Sequence, residues 1–373
     1  MHSVSAPLRV TVVGGGPAAA ELLLALRALA GDRVELQLIA PDTELLVRAA
    51  SPGAAFGRAV VERYDLAEVA TETGASVRLD RVEAVAPAAR RLRLASGGAA
   101  VYDELVVAVG ARARVGVAGA TTFRDQRDAH RIGGLLAGEA PRLAFAAPAG
   151  VAWTLPLYEL ALLTAAELSE REIRGEVVLV TPERRPLEVF GETVSEYVKD
   201  LLDERGVRLM LDLAPGEVIR DGLRLTDGSL LAVDRVIAVP RLMGRRIAGV
   251  PADWNAFIPT DEWGRVSGLE HVFAVGDVTA FPVKQGGLAT QQADVVAALL
   301  AARAGAGVVP EASRPVLRTR LLGADEPTYL RAVLDERGRP VPGTSEVALR
   351  EPPWWPGAKL VGSRLTPWMA VHH

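Results

Sequence analysis

The sequence predicts an α/β fold of two tandem units, each a parallel sheet with a β-meander, followed by a short C-terminal region. Three observations predict it. A strand, a glycine-rich turn and a helix follow one another from Leu8 to Leu29. The order of elements that starts there recurs in the second third of the chain. After the repeat comes another buried strand ending in a glycine and a carboxylate, Val272-Phe273-Ala274-Val275-Gly276-Asp277. The repeat is a stronger signal than either motif alone.

Leu8–Val13 is a short β-branched run, which suits a buried parallel strand. The turn after it fits G-x-G-x-x-A at Gly14, Gly16 and Ala19. Gly14 permits the tight turn, Gly16 lets backbone N–H groups approach a pyrophosphate, and Ala19 lets helix and strand pack closely. Pro17 and Ala18 open the helix, with Pro17 suited to its first turn. The unpaired donors and positive dipole end of that helix then face the phosphates. Placed between strand and helix, the turn reads as a dinucleotide (Rossmann-type) site; the alternative is an ordinary glycine-rich connection. Val34–Ile39 is the second strand. A ribose-binding carboxylate belongs near its end, and Asp42 or Glu44 would have to serve, with a solvated turn acid as the alternative. Residues 45–75 read as mixed loop and helix, with Arg48 the only cation between Arg33 and Arg58. Val77–Val85, Arg90–Ala95 and Ala99–Tyr102 read as a meander turned by Ser96-Gly97-Gly98. Asp103–Gly110 is a further buried strand ending at a glycine.

The pattern then repeats. Arg142–Ala147 is a strand, Leu155–Leu168 a helix, Glu176–Val180 a strand and Val194–Glu204 a helix. Val207–Leu213, Glu217–Ile219, Leu223–Leu225 and Leu230–Ala232 form a second meander, and Asp234–Val239 closes the unit. Leu179-Val180-Thr181-Pro182-Glu183 matches Leu38-Ile39-Ala40-Pro41-Asp42, and Asp234 before its strand matches Asp103. The phosphate turn is lost here: Ala146–Thr154 keeps only Gly150, and added Cβ atoms and a proline oppose close approach of backbone donors. Glu183 keeps the position of the ribose acid. A retained but non-binding unit, true nicotinamide binding and weak binding in an unusual geometry all stay open. In the returning strand, Gly276 and Asp277 stand at the carboxyl end, where open α/β sheets bind ligands. A loop through Lys284, Gln285 and Gly287 leads into an apolar helix, Leu288–Ala304, whose N-terminal amides suit an electron-rich edge. The expected division is 1–116 with 241–308 as a split first domain, 117–240 as the second and 309–373 as the C-terminal region.

Composition narrows the function. Of 373 residues, 49% are hydrophobic and 24% charged, and the net charge is −4. No basic run stands out, so nucleic acid is not an expected partner. With no cysteine, disulfides, thiolate catalysis and cysteine metal sites are excluded. His2, His130, His271, His372 and His373 are scattered, so no metal site is expected. Lys199, Lys284 and Lys359 are the only lysines among 42 basic residues, which makes a lysine at 284 or 359 informative. Leu143–Ala166 carries one charge, Glu159, but is broken by Pro148, Gly150 and Pro156, and reads as core rather than membrane span. Met1 runs straight into the first strand, so a signal peptide is not expected and the location is expected to be cytoplasmic.

Together Gly14-x-Gly16-x-x-Ala19, Tyr102–Ala111 and Val272–Asp277 resemble the pyridine nucleotide–disulfide oxidoreductase superfamily of two-dinucleotide-fold flavoproteins. The resemblance implies FAD in the first unit, completed by the segment that returns after the second. It implies that Gly14, Gly16 and Ala19, with Pro17 and Ala18, hold the pyrophosphate. Asp42 becomes the adenosine-ribose acid, and Val82 meets adenine through its backbone. Ala108, Gly110 and Gly276 line the cofactor, and Asp277 bonds the ribityl chain. The helix start at Gly287, Leu288 and Ala289 stabilises negative charge at the flavin N1–C2=O edge. Arg48, Lys284 and Gln285 complete the cofactor-binding candidates. Lys284 is also the one catalytic candidate, raising the flavin potential; a surface lysine is the alternative. Gly150 and Glu183 are the candidates for a nicotinamide nucleotide.

The resembled branches are type II NADH dehydrogenases and sulfide:quinone reductases. A tail, Trp354–Leu365, is similar to a W-P-x-K-x-x-G-x-x-L segment of some members. Without cysteine the thiol relay of disulfide reductases and the sulfur chemistry of sulfide:quinone reductases are ruled out. Sulfide:quinone reductases also lack the second glycine turn. The expected function is an FAD-dependent oxidoreductase that passes electrons from a donor, with NAD(P)H left open, to a quinone or other acceptor. The rival is a flavin-binding sensor or scaffold without turnover. No integral membrane span is expected; a peripheral contact through Trp354, Trp355 and Trp368 competes with core packing or a lid.

Overall fold

The computed structural model describes residues 6–128, 131–132 and 141–372. His2, His130 and His373 lie outside the described residues. In chain order the first unit comprises β1 (Leu8–Val13), α1 (Pro17–Ala30), β2 (Val34–Ala40), α2 (Leu66–Thr73), β3 (Ser76–Leu79) and β4 (Glu104–Val107). The second comprises β5 (Arg142–Ala146), α3 (Leu155–Glu170), β6 (Glu176–Val180), α4 (Glu192–Glu204), β7 (Val207–Met210) and β8 (Arg235–Ala238). The chain then returns through β9 (Val272–Ala274) and α5 (Gly286–Arg303), and ends with α6 (Leu365–Val371).

Two all-parallel five-stranded sheets result. The first runs β9-β4-β1-β2-β3, so a strand from beyond the second unit forms its edge. The second runs from Thr121–Thr122 through β8, β5 and β6 to β7. The predicted repeat extends to side chains. Arg9 grips Asp103 through its backbone N–H (2.9 Å) and guanidinium (3.0 Å), and Arg142 grips Asp234 in the same way at 2.8 Å each. Each pair fixes the entry of a central strand beside its neighbour.

Two predicted strands need correction. Val77–Val85 is not one meander strand. Ser76–Leu79 joins the parallel sheet beside β2, and Val82–Ala86 begins the antiparallel meander with Arg91–Leu94 and Ala99–Val101. Asp80 makes the break, its carboxylate accepting from Arg81 N (2.7 Å) and Ser96 Oγ (2.6 Å). Likewise Val207–Met210 pairs with β6 rather than with the second meander, and the chain turns at Asp212 with a positive φ of 54°. The stretch after Asp42 also holds an antiparallel pair, Glu44–Val47 with Glu62–Asp65.

α1 and α5 lie on one face of the first sheet and share its core through small and branched residues: Ala19, Leu22, Leu23 and Leu26 with Ala293, Val296, Ala297 and Leu300. The C-terminal region bridges the units. Its antiparallel sheet, Val316–Leu321, Thr328–Val333 and Glu346–Leu349, sends Leu317, Leu321, Leu330 and Ala332 into the second core. Leu365, Trp368 and Met369 enter the first core. The three tail tryptophans therefore form no cluster. Trp354 packs edge-on against Tyr329, Trp368 is buried against Tyr64, and Trp355 is exposed. Among the described residues no helix is long and apolar enough to cross a membrane.

Between the units, Lys359 forms a buried ion pair with Glu159 of α3 and donates to the Arg320 carbonyl at 2.8 Å. Burial pushes the Glu159 carboxyl up and the Lys359 ammonium down, and each partner opposes the shift of the other. Removing one partner strands a buried charge. Lys359→Ala is expected to destabilise the chain by about 3–5 kcal/mol, while Glu159→Leu/Lys359→Met together recover most of the loss. Equilibrium urea unfolding reads both; equal losses for single and double variants would contradict this role.

Candidate functional site

The opening turn is set by a close backbone approach. Gly14 has φ 121°, its N–H bonds the Ile39 carbonyl at 2.9 Å, and a Cβ there would lie 2.3 Å from the Ala108 carbonyl oxygen. Only glycine meets both conditions. Ala108 in turn donates to the Val13 carbonyl at 2.7 Å, so β1 and β4 end together. Gly16 is the N-cap of α1 and Pro17 its first residue. Gly16 and Gly110 face open space, and among the described residues the N–H groups of Gly15, Gly16 and Ala18 find no acceptor. Free amides at a helix start, with no side chain over them, suit a phosphate group.

Gly276 closes the other side. It has φ 78°, and a Cβ there would lie 3.3 Å from both Ala18 Cβ of α1 and Ala289 Cβ of α5. Its N–H donates to Gln292 Oε1 at 2.7 Å. The residue is a wedge between two helix starts, and it puts the glycine turn and Asp277 at the same end of the first sheet. Asp277 is half-buried, and no hydrogen bond or ion pair reaches its carboxylate among the described residues. Burial pushes that carboxyl up, against the pull of Lys284 and Arg48. A carboxylate taken from water without a partner is costly, so this one awaits a donor from outside the chain.

The remaining candidates divide. Lys284 donates to the Thr279 carbonyl, sits 3.8 Å from the centre of the Phe257 ring and is pushed down to about 8 by burial. Gln285 is a structural cap: its Oε1 accepts from Leu288 N at 2.8 Å and its Nε2 donates to the Arg318 carbonyl at 3.3 Å. Leu288 N is therefore committed, and Gly286 and Gly287 carry the free amides of α5. Arg48 is held 3.6 Å from Asp125, a buried carboxylate that Arg127 also grips at 2.6 Å. Asp42 is exposed just after β2, and Val82 begins the meander.

Several residues here were not singled out from the sequence. Asp125 positions Arg48, Gln292 holds Gly276, and Arg245 stands near Arg112, Arg81 and Arg48, which together with burial push its guanidinium down. Gln292 carried a faint signal as a polar residue in an apolar helix. Arg245, Arg112 and Arg81 carried none, because segments far apart in sequence bring them near Arg48.

The equivalent place in the second unit is built differently. Eight residues, 147–154, separate β5 from α3, against three between β1 and α1. Pro148 packs where Gly116 passes, and Trp153 lies on Phe190 with ring centres 5.8 Å apart. Gly150, φ 81°, faces open space but stands alone. Glu183 accepts four hydrogen bonds: from Thr154 Oγ1 (3.0 Å) and Glu188 N (3.1 Å) on Oε1, and from Tyr158 OH and Thr181 Oγ1 (2.8 Å each) on Oε2. A carboxylate has about four lone-pair sites, so none is left for a ribose.

The chain is similar to several known proteins. A family model described as pyridine nucleotide-disulphide oxidoreductase matches residues 8–298. The ferredoxin reductase component of chlorobenzene dioxygenase from Cupriavidus sp. (strain PS12) is 26% identical over 338 residues, covering 81% of this chain and 76% of that protein. The sulfide:quinone oxidoreductase of Aquifex aeolicus superposes with a TM-score of 0.81 at 22% identity, over 92% of this chain and 87% of that one. A ferredoxin reductase of Rhodopseudomonas palustris gives 0.66 at 22% identity, over 87% and 82%.

The two glycines predict opposite outcomes. Gly14→Ala is expected to destabilise the fold by about 1–3 kcal/mol through strain at a positive φ, with the clash at Ala108 added. Gly16→Ala is expected to cost about 1 kcal/mol or less, yet to weaken dinucleotide binding at least tenfold. Chemical denaturation and ligand titration of both variants check this.

Proposed function

As a member of the pyridine nucleotide-disulphide oxidoreductase family the chain is an FAD-dependent oxidoreductase, and we propose that its electrons come from a donor that does not bind as NAD(P)H in the second unit and leave to a quinone or similar acceptor. The observation that carries this reading is the saturated Glu183 carboxylate. A nicotinamide nucleotide would have to break that network, and in the five-residue-longer turn only Gly150 leaves the backbone without a side chain.

The first unit fits FAD on its own chemistry. The free amides of Gly15, Gly16 and Ala18 would hold the pyrophosphate, with Arg48 as a cation beside them. Asp277 would take hydrogen bonds from the ribityl hydroxyls, which answers its lack of an internal partner. The free amides of Gly286 and Gly287 would face the edge of the ring. When bound, the flavin carries the electrons, and the protein sets orientation, access and potential. Burial pushes Lys284 down to about 8, while Asp277 and Asp253 favour its charged form. In that state it stabilises negative charge near the helix start. Phe257 beside Lys284, and the Leu360 side chain against Gly286, give this end of the site apolar walls. Such walls favour an apolar acceptor. The acceptor named for the chlorobenzene dioxygenase relative, a ferredoxin, makes a protein carrier the second reading.

In the absence of air, NADH and NADPH are each expected to leave the flavin spectrum unchanged while dithionite bleaches it. Rapid bleaching by either nucleotide would overturn the proposal on the donor. Lys284→Met is expected to lower the two-electron midpoint potential by about 30 mV, the equivalent of roughly 1.4 kcal/mol. An unchanged potential would remove the role given to that lysine.

A further inference from the structure

A second arrangement joins α1 and α5 to the C-terminal segment, with Glu21 buried, Asp294 half-buried and Ser363 exposed. Glu21 of α1 is fully buried, which is unusual for a carboxylate in the middle of an apolar helix. It reaches the C-terminal segment. Its Oε1 accepts from Arg364 N (2.7 Å) and Ser363 Oγ (2.9 Å), and its Oε2 accepts from Leu365 N (2.9 Å). Gly362 must be glycine here, because a Cβ would lie 2.2 Å from Glu21 Oε2. Ser363 Oγ also lies 2.8 Å from Oδ2 of Asp294, on α5.

The proton inventory of this arrangement does not close with both acids ionised. The Ser363 hydroxyl has one hydrogen and stands within hydrogen-bond distance of two carboxylate oxygens. Only one of them can accept it. The other contact sets lone pair against lone pair unless a carboxyl carries a proton of its own. Glu21 already accepts two backbone N–H bonds, so the extra proton belongs on Asp294. From there it can be donated to Ser363 or to the neighbouring Glu21 carboxylate. Burial and the Glu21 charge push the Asp294 carboxyl up to about 8, with Ser363 and Arg364 pulling the other way. Glu21 from α1 and Arg364 from the tail are the charged groups that face it.

We propose that the segment from Leu360 to His372 is a proton-linked clasp, closed onto α1 and α5 while the Asp294 carboxyl carries its proton and loosened when that proton leaves. The segment has one other polar tie to α5 among the described residues, Thr290 Oγ1 to the Val361 carbonyl at 2.9 Å, and its apolar anchors are Leu365, Trp368 and Met369, with Trp368 packed on Tyr64. Leu360 and Val361 lie against Gly286 and Gly287, the start of α5. Opening the clasp therefore uncovers that helix start, and its consequence for flavin access rests on the function proposed above; the clasp itself does not.

The sign follows from linkage. In the closed state Asp294 binds its proton up to about pH 8, while on opening it returns toward the ordinary value of 3.8. The closed state thus holds more protons between these limits, is tightest in acid, and weakens as pH rises toward 8. Hydrogen exchange of residues 363–372 in the full-length protein tests this. After correction for intrinsic exchange, protection is expected to fall by up to tenfold per pH unit from pH 6 to 8 and then level off. Asp294→Asn, which carries a permanent donor, is expected to keep its protection across the range. A wild-type profile without slope overturns the clasp whatever the variant does, and so does an Asp294→Asn profile with the wild-type slope. Neither readout depends on flavin reduction.

Discussion

The approach of the Gly14 backbone to the Ala108 carbonyl is the constraint on which the rest of the first unit depends. It brings β1 and β4 to a common end with no side chain between them. Gly276 does the same on the far side, between the first turns of α1 and α5. Two helix starts and two strand ends are thereby held together at one end of the sheet, with the N–H groups of Gly15, Gly16, Ala18, Gly286 and Gly287 unspent among the described residues. Asp277 follows directly from this packing. The strand that brings it is three residues long, and the glycine before it is held by Gln292, so the carboxylate has little freedom to find a partner within the chain. Core packing thus creates the free donors and the free acceptor that a dinucleotide would satisfy.

The second unit shows how the same topology can be turned inward. Its sheet has the same strand order and its Arg142–Asp234 pair repeats Arg9–Asp103. Its carboxylate after the second strand is nonetheless occupied by Thr154, Tyr158, Thr181 and the Glu188 amide. In the first unit Asp42 stands exposed at the equivalent place. The contrast between one spent acid and one unspent acid is what the proposed division of work rests on, with the first unit as ligand site and the second as scaffold. The scaffold then receives the C-terminal sheet and the buried Lys359–Glu159 pair, which tie the tail to it.

Much of this was legible in the residues. The turn at Gly14–Ala19, the repeat, and the strand ending in Gly276-Asp277 all rest on local patterns, small residues at fixed spacing and apolar runs, and local patterns survive in a sequence. The strand pairing of 76–79 and 207–210 was not legible. Each is a short apolar run next to a meander, and only the long-range partner decides which sheet it joins. The role of Gln285 was also hidden: a glutamine before a helix reads equally as cap and as ligand. Most opaque was Glu21, an acid in a helix whose neighbours are alanine and leucine. Its partners, Ser363 to Leu365, lie at the other end of the chain. Lys359 stood out as one of three lysines, but its rarity could not reveal that Glu159 would be its partner.

The account therefore turns on one elongated ligand lying between the opening glycines and Asp277. The direct measurement is a calorimetric titration of the deflavinated protein with FAD and, separately, with FMN, which lacks the adenosine half. One FAD per chain, bound at least a hundredfold more tightly than FMN, is the result the account predicts. Equal affinity for the two flavins, or no binding of FAD, would contradict it.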